Sequence, residues 1–179
     1  MTKTLKILTA QLNPIVGDID GNLELARAAL KEGAEKGADL VVFAEMLILG
    51  YPPEDLVLKP SAVEDCMEAV RKLASETAER PACIIGSPWQ DDGLFNSIIY
   101  CEGGRISARY DKQELPNYGV FDEQRLFEKG RSPACVVELK GVKIGLAICE
   151  DVWFERVPKA AKEAGADLLI VPNGSPWRR

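Results

Sequence analysis

The sequence predicts an α/β fold, and three features carry that expectation. Residues 39–43 and 165–171 are apolar runs of strand length, read as strands covered on both faces. Helical periodicity precedes each run, with Leu23, Ala26, Leu30 and Ala34 marking the first helix and residues 154–163 the second. The tetrapeptide Gly37-Ala38-Asp39-Leu40 recurs as Gly165-Ala166-Asp167-Leu168, each copy following a helix and opening an apolar run. Two strand-helix-strand units therefore read as related halves of one α/β domain.

Taken in order, residues 6–12 alternate and break at Asn13-Pro14, as a strand does on entering a loop. Asp20 is the expected N-cap of the first helix, and Gly37 stands where a glycine would end it. The strand at 39–43 then delivers Ala44-Glu45. Residues 60–80 have helical composition, and 82–86 read as a short buried strand closed by a Gly86-Ser87-Pro88 turn. Residues 96–101 and 105–110, joined by Glu102-Gly103-Gly104, read as a β-hairpin that delivers Lys112. A strand at 142–148 precedes Cys149. Glu45, Lys112, Cys149 and residues 173–175 thus all fall just beyond strand ends, where α/β sheets collect reactive groups.

The 179 residues, 46% hydrophobic, suit one domain spanning 1–179. A formal charge of -6 disfavours a nucleic-acid partner. No apolar run approaches the roughly 20 residues of a membrane span, and residues 1–6 lead into alternation rather than a signal-peptide core, so no membrane is expected and a cytoplasmic location is. The five cysteines form no CxxC pair and the chain contains 0 histidines, so no metal site is expected. Cys66, Cys83, Cys101 and Cys135 read as small buried hydrophobes. Cys149 differs, because it stands between the run Ile144-Gly145-Leu146-Ala147-Ile148 and the acidic pair Glu150-Asp151.

A histidine-free chain cannot build a Cys-His or Ser-His hydrolase, so a reactive Cys149 would need a carboxylate, an ammonium, or both. Glu45 and Lys112 are the candidates. Either alone reads equally as a solvated loop residue. With Cys149 they supply a proton shuttle, a cationic donor for a developing oxyanion, and a nucleophile.

These residues resemble the Glu, Lys, Cys set of the carbon-nitrogen hydrolases of the nitrilase superfamily. Gly50-Tyr51-Pro52-Pro53-Glu54-Asp55-Leu56, Leu115-Pro116-Asn117-Tyr118-Gly119-Val120-Phe121-Asp122-Glu123 and Cys149-Glu150-Asp151-Val152-Trp153 are similar, in order, to segments of the glutaminase domains of glutamine-dependent NAD synthetases. The resemblance implies a nitrilase-like α-β-β-α sandwich. It makes Glu45 the general base, Lys112 the oxyanion partner, Cys149 the thioester-forming nucleophile and Glu123 a second, supporting glutamate. It places glutamine contacts at Tyr118, Phe121 and Ser175, although the two aromatics also read as loop anchors and Ser175 before Pro176 as turn chemistry.

Two departures stand out. Ala44 replaces a proline usual in the family, and Met46-Leu47-Ile48-Leu49 is more apolar than the family's stretch there. The family's domain also continues for several strands and helices beyond the position of Arg179, so the sandwich is expected to be truncated at its C-terminal end and the synthetase domain absent. No cofactor is expected in this domain; ATP and magnesium would serve only the absent one. Gly103-Gly104 is a hairpin turn, and residues 17–21 lack the lysine and spacing of a phosphate loop. The expected function is hydrolysis of L-glutamine, releasing ammonia for amidation of deamido-NAD on the synthetase domain, in a homo-oligomer. Two rivals remain: a stand-alone amidase or carbamoyl hydrolase, and an inactive fragment that self-associates through exposed apolar faces and strand edges.

Overall fold

A computed structural model describes residues 4–175. Pro176 and Arg179 lie outside the described residues. Two sheets pack face to face. The first has the spatial order β1 (Ile7–Thr9), β2 (Leu40–Val42), β3 (Ala82–Gln90), β4 (Leu94–Glu102), β5 (Arg105–Asp111), parallel through β3 and antiparallel after it. The second consists of β6 (Cys135–Leu139), β7 (Val142–Leu146) and β8 (Leu168–Ile170), with β6 antiparallel and β8 parallel to β7. Helices α1 (Ile19–Glu35) and α2 (Pro60–Glu76) cover the first sheet, α3 (Glu123–Leu126) is a single turn, and α4 (Arg156–Glu163) covers the second sheet.

The period of two along the strands makes these layers. Val41, Cys83, Ile85, Ile99 and Cys101 point to α1 and α2, while Leu40, Ile84, Ile98 and Tyr100 alternate with them and meet Val137, Leu139, Ile144 and Leu146 of the second sheet. Gly145, between two of those inward residues, faces outward against Ala161 of α4. The result is the expected α-β-β-α sandwich. Burying Leu23 and Leu30 on the inner face of α1 contributes about 1.5–3 kcal/mol each.

The repeated tetrapeptide marks a repeated structure. Gly37 and Gly165 adopt φ of 65° and 86° just after α1 and α4, a region open to glycine without a Cβ clash. Asp39 then receives the Lys6 N–H at 2.9 Å, and Asp167 receives the Lys143 N–H at 3.0 Å. Each aspartate therefore pins the entrance of its strand to the entrance of the neighbouring one, in register with Ile7 opposite Leu40 and Ile144 opposite Leu168. At the far end Ala10 donates to Val42 and Ala147 to Ile170, completing the correspondence.

Local expectations need correction at three points. Asp18, not Asp20, caps α1, accepting the Gly21 N–H at 3.1 Å, because Gly17 at φ 83° turns the chain two residues earlier. Gly86-Ser87-Pro88 is no turn; β3 runs through it, with Pro88 opposite Asn96. Proline is tolerated there because the β2 ladder ends opposite Ile84, so no strand on that side asks Pro88 for an N–H. Strand β6 was not expected at all, since its five residues bury only Val137 and Leu139 fully. Among the described residues no helix is long and apolar enough to cross a membrane.

Candidate active site

Glu45 leaves β2 through a turn that is itself core. Met46, Leu47, Ile48 and Leu49 are fully buried, which accounts for the apolar character of this stretch. Met46 takes a φ of 53°, and the Ile48 N–H donates to Gly86 O at 3.2 Å. Gly86 makes this approach possible: a Cβ on it would lie 2.3 Å from Met46 N and 2.5 Å from Ala44 O. Strand β3 thus supports the backbone that aims Glu45.

Lys112 follows the end of β5, its N–H bonded to Asn96 O of β4 at 2.8 Å. Its side chain is not solvated, since the residue is 1% exposed. Nζ donates to Glu45 Oε1 at 2.7 Å and to Glu123 Oε1 at 2.9 Å, engaging two of its three N–H groups. Asn96 Nδ2 bridges the same carboxylates, at 2.8 Å to Glu45 Oε1 and 3.4 Å to Glu123 Oε2. Tyr51 donates to Glu123 Oε1 at 2.8 Å, and the Gly174 N–H to Glu45 Oε2 at 2.7 Å.

Two buried carboxylates share one ammonium, and the electrostatics follow from that excess. Burial pushes the Glu123 carboxyl above its ordinary value and neighbouring Glu45 adds to the rise, against the pull of Lys112. For Lys112, burial works toward a lower pKa, but the two carboxylates together outweigh it and hold the ammonium charged.

Cys149 is reached where β7 meets β8, with its N–H bonded to Pro172 O at 3.0 Å. Its φ of 43° is rare for a side-chain-bearing residue and turns the chain sharply from the strand into a 3-10 turn, Cys149–Trp153. The sulfur lines a cavity of about 330 Å³ with Tyr118, Phe121, Glu150, Trp153 and Ser175. Burial and the charge of Glu45 lift the thiol to about 11, with Lys112 acting in the opposite direction. The resting sulfur is therefore protonated, since the lowering by Lys112 is outweighed. The backbone of Gly174, whose N–H donates to Glu45 Oε2, also acts to lower the thiol's pKa.

The remaining sequence candidates fall around this cavity. Tyr118 and Phe121 pack edge to face with centroids 5.4 Å apart, and Tyr118 donates to Glu150 Oε2 at 2.9 Å. Ser175 Oγ stands 4.0 Å from the sulfur, too far for a strong hydrogen bond. Cys66, Cys83 and Cys101 are buried in the layer between helices and sheet. Asn96, Tyr51 and Glu150 were missed, while Gly174 lies in the 173–175 segment expected at a strand end. Tyr51 and Glu150 lay within segments already singled out, whereas mid-strand Asn96 gave no signal. Among the described residues no group of three or more His, Cys, Asp or Glu is arranged to hold a metal ion.

The arrangement can shuttle a proton at a carboxylate, offer a fixed cation to an oxygen, and present a thiol to a small cavity. Known proteins share the fold. Over 180 residues the chain is 44% identical to a glutamine-dependent NAD(+) synthetase of Rhodobacter capsulatus, covering 100% of this chain and 32% of that protein. The corresponding protein of Thermotoga maritima is 38% identical over 96% of this chain and 30% of its own length. The chain thus spans about a third of the curated relatives it matches. Among solved structures, the glutamine-dependent NAD+ synthetase of Acinetobacter baumannii in complex with ADP superposes with a TM-score of 0.92 at 33% identity, covering 97% of this chain and 33% of that one. An amidase from Nesterenkonia superposes with a TM-score of 0.85 at 25% identity, covering 97% of this chain and 66% of that one. The family model for carbon-nitrogen hydrolases matches residues 6–179, and this chain belongs to that family.

Proposed function

We propose that this chain is a glutamine amidohydrolase unit that releases ammonia through a thioester on Cys149. The observation that carries the reading is the buried Lys112 ammonium held between Glu45 and Glu123, with Glu45 Oε2 accepting the N–H of Gly174, the neighbour of the Ser175 that stands beside the sulfur. Cys149 Sγ attacks the side-chain carbonyl carbon of glutamine while its proton passes to Glu45. The carbonyl oxygen gains negative charge and is met by the third N–H of Lys112. Glu45 returns the proton to the leaving nitrogen, the C–N bond breaks, and ammonia departs. Water then attacks the thioester, Glu45 accepts its proton, the C–S bond breaks, and the thiol is restored. Glu123 steadies Lys112, and Tyr118, Phe121 and Ser175 line the side of the cavity that takes the substrate. Glu150, beside Tyr118, supplies a negative edge suited to the α-ammonium of an amino-acid substrate.

The relatives' names support glutamine as the amide and NAD synthesis as the fate of the ammonia. On this reading ATP and magnesium serve the synthetase part of those longer proteins, not this site. The test is to incubate the purified chain with L-glutamine and measure glutamate and ammonia. Equal release of both, abolished by Cys149→Ala, is expected. Higher kcat/KM for acetamide or N-carbamoyl compounds than for glutamine would make the chain a stand-alone amidase or carbamoyl hydrolase. No turnover of any amide, with Cys149 unreactive to a glutamine chloroketone, would make it an inactive fragment.

A further inference from the structure

Asp151 is fully buried, yet it does not line the cavity that holds Cys149. Its two oxygens are divided between two segments of chain. Oδ1 accepts the N–H groups of Gln113 at 3.0 Å and Glu114 at 2.8 Å, the two residues immediately after Lys112. Oδ2 accepts the N–H of Ile148 at 2.9 Å, the residue immediately before Cys149, and the hydroxyl of Tyr110 at 2.8 Å. One carboxylate therefore satisfies three backbone donors, two buried and one half-buried, drawn from the two loops that end β5 in one sheet and β7 in the other. A second tie outside it, from Arg156 of α4 to Gln113 Oε1 at 2.6 Å and Glu114 Oε1 at 2.7 Å, holds the same loop.

We propose that Asp151 is a positioning residue that fixes the Lys112 ammonium relative to the Cys149 sulfur by clamping the chain behind each of them. The two groups arrive from different sheets, and β5 and β6, though adjacent in sequence order, share no strand pairing. Cys149 also sits at a φ of 43°, a conformation that persists only when its surroundings impose it. The Ile148 bond supplies part of that constraint from within the same 3-10 turn, and the Gln113 and Glu114 bonds carry it across to the lysine.

This inference rests on the reading of Lys112 and Cys149 as partners, and the experiment separates the two. Asp151→Asn keeps size but replaces one acceptor by an NH2 group, which must oppose either Ile148 N–H or the Gln113 and Glu114 N–H groups. Tyr110→Phe is the comparison, because it deletes the hydroxyl's bond to the same carboxylate and the bond it accepts from Gln113 Nε2, which keeps Ser132 O, while leaving the three backbone ties in place. With the chain and L-glutamine, Asp151→Asn is expected to lower kcat about tenfold or more with KM nearly unchanged, whereas Tyr110→Phe loses thermal stability and keeps kcat within about twofold. Alkylation of Cys149 by iodoacetamide at pH 8 is the second readout and needs no glutaminase activity. It is expected to slow about threefold in Asp151→Asn, as the ammonium that lowers the thiol's pKa moves away, and to stay unchanged in Tyr110→Phe. A wild-type chain that ignores glutamine but shows this alkylation difference removes the glutaminase reading and retains the clamp. Asp151→Ser, which admits a water to the same donors, is the second variant and is expected to show the same split. Both readouts following folded fraction alike in the aspartate and tyrosine variants, or failure of both aspartate variants to fold while Tyr110→Phe folds, overturns the positioning role.

Discussion

The ammonium of Lys112 donates to Oε1 of Glu45 over 2.7 Å with both side chains wholly out of water. A pair this deep contributes little to stability by itself, since desolvation offsets attraction, but removing one partner strands the other. Lys112→Met would leave two buried carboxyls without a cation.

Lys112→Met should therefore destabilise the fold by about 3–5 kcal/mol and lower glutamine turnover about a hundredfold or more. The pH dependence has a defined sign. Glu123 has its folded-state pKa raised, so its contribution to stability is full below the unfolded value near ~4.3 and is lost as pH rises through the folded value. Without Lys112 that value rises further. Thermal denaturation should show a larger deficit relative to wild type at pH 8 than at pH 5, and equal deficits would refute the buried-charge account.

Gly86→Ala tests the support under Glu45. The new Cβ would lie 2.3 Å from Met46 N, within the backbone rather than at the tip of a flexible side chain, so the turn carrying Glu45 must move. A folded variant destabilised by about 1–3 kcal/mol is expected. Its kcat should fall more than its stability loss explains. Circular dichroism melts beside kinetics check this, and full activity would show that Glu45 tolerates the shift.

Most strand positions and their ends were readable from sequence, though not their order in the sheets. Glu45, Lys112 and Cys149 could be placed at strand ends because the apolar runs before them have clear limits, and the Gly-Ala-Asp-Leu repeat betrayed two equivalent units. Asn96 could not be found this way. A single polar residue inside a strand looks the same whether it faces solvent or two carboxylates, and only the register of β4 against β3 and β5 sets its surroundings. Likewise Ser87-Pro88 carries turn composition, and nothing local reveals that β3 continues through it in register with β4. The elevated thiol pKa was illegible for the same reason, since burial is a property of the assembled sheets.

Asn96→Asp and Asn96→Ala should differ in a pH-dependent way. Alanine removes a donor to Glu45 and Glu123, whereas aspartate places a third carboxyl within reach of both, and like charges at this distance disfavour ionisation. At pH 8 the aspartate variant should have the lower Tm of the two, and by pH 5, where it takes up a proton, the gap should close. A constant gap would mean that Asn96 acts by shape alone.

The two effects of Glu45 on Cys149 have opposite signs, which allows a single substitution to separate proton transfer from electrostatics. Its negative charge helps lift the resting thiol to about 11, so at neutral pH little thiolate is present, and the proposed mechanism requires the base to act during the attack on substrate. Iodoacetamide, which reacts with thiolate alone and brings no group for Glu45 to protonate, should alkylate wild-type Cys149 with a rate that climbs about tenfold per pH unit and levels near pH 11. Cys66, fully buried and pushed up to about 12 by that burial, should react more slowly still. In Glu45→Gln the charge is gone and the thiol's pKa falls, so alkylation at pH 8 should become faster. Glutamine turnover in the same variant should drop by about 10²–10⁴, because the carried proton has no acceptor. Simple misfolding or misplacement of the sulfur would move both rates in the same direction. An alkylation profile already flat at pH 7, or alkylation and turnover that fall together in Glu45→Gln, would show that Cys149 works as a preformed thiolate and that Glu45 is not its base.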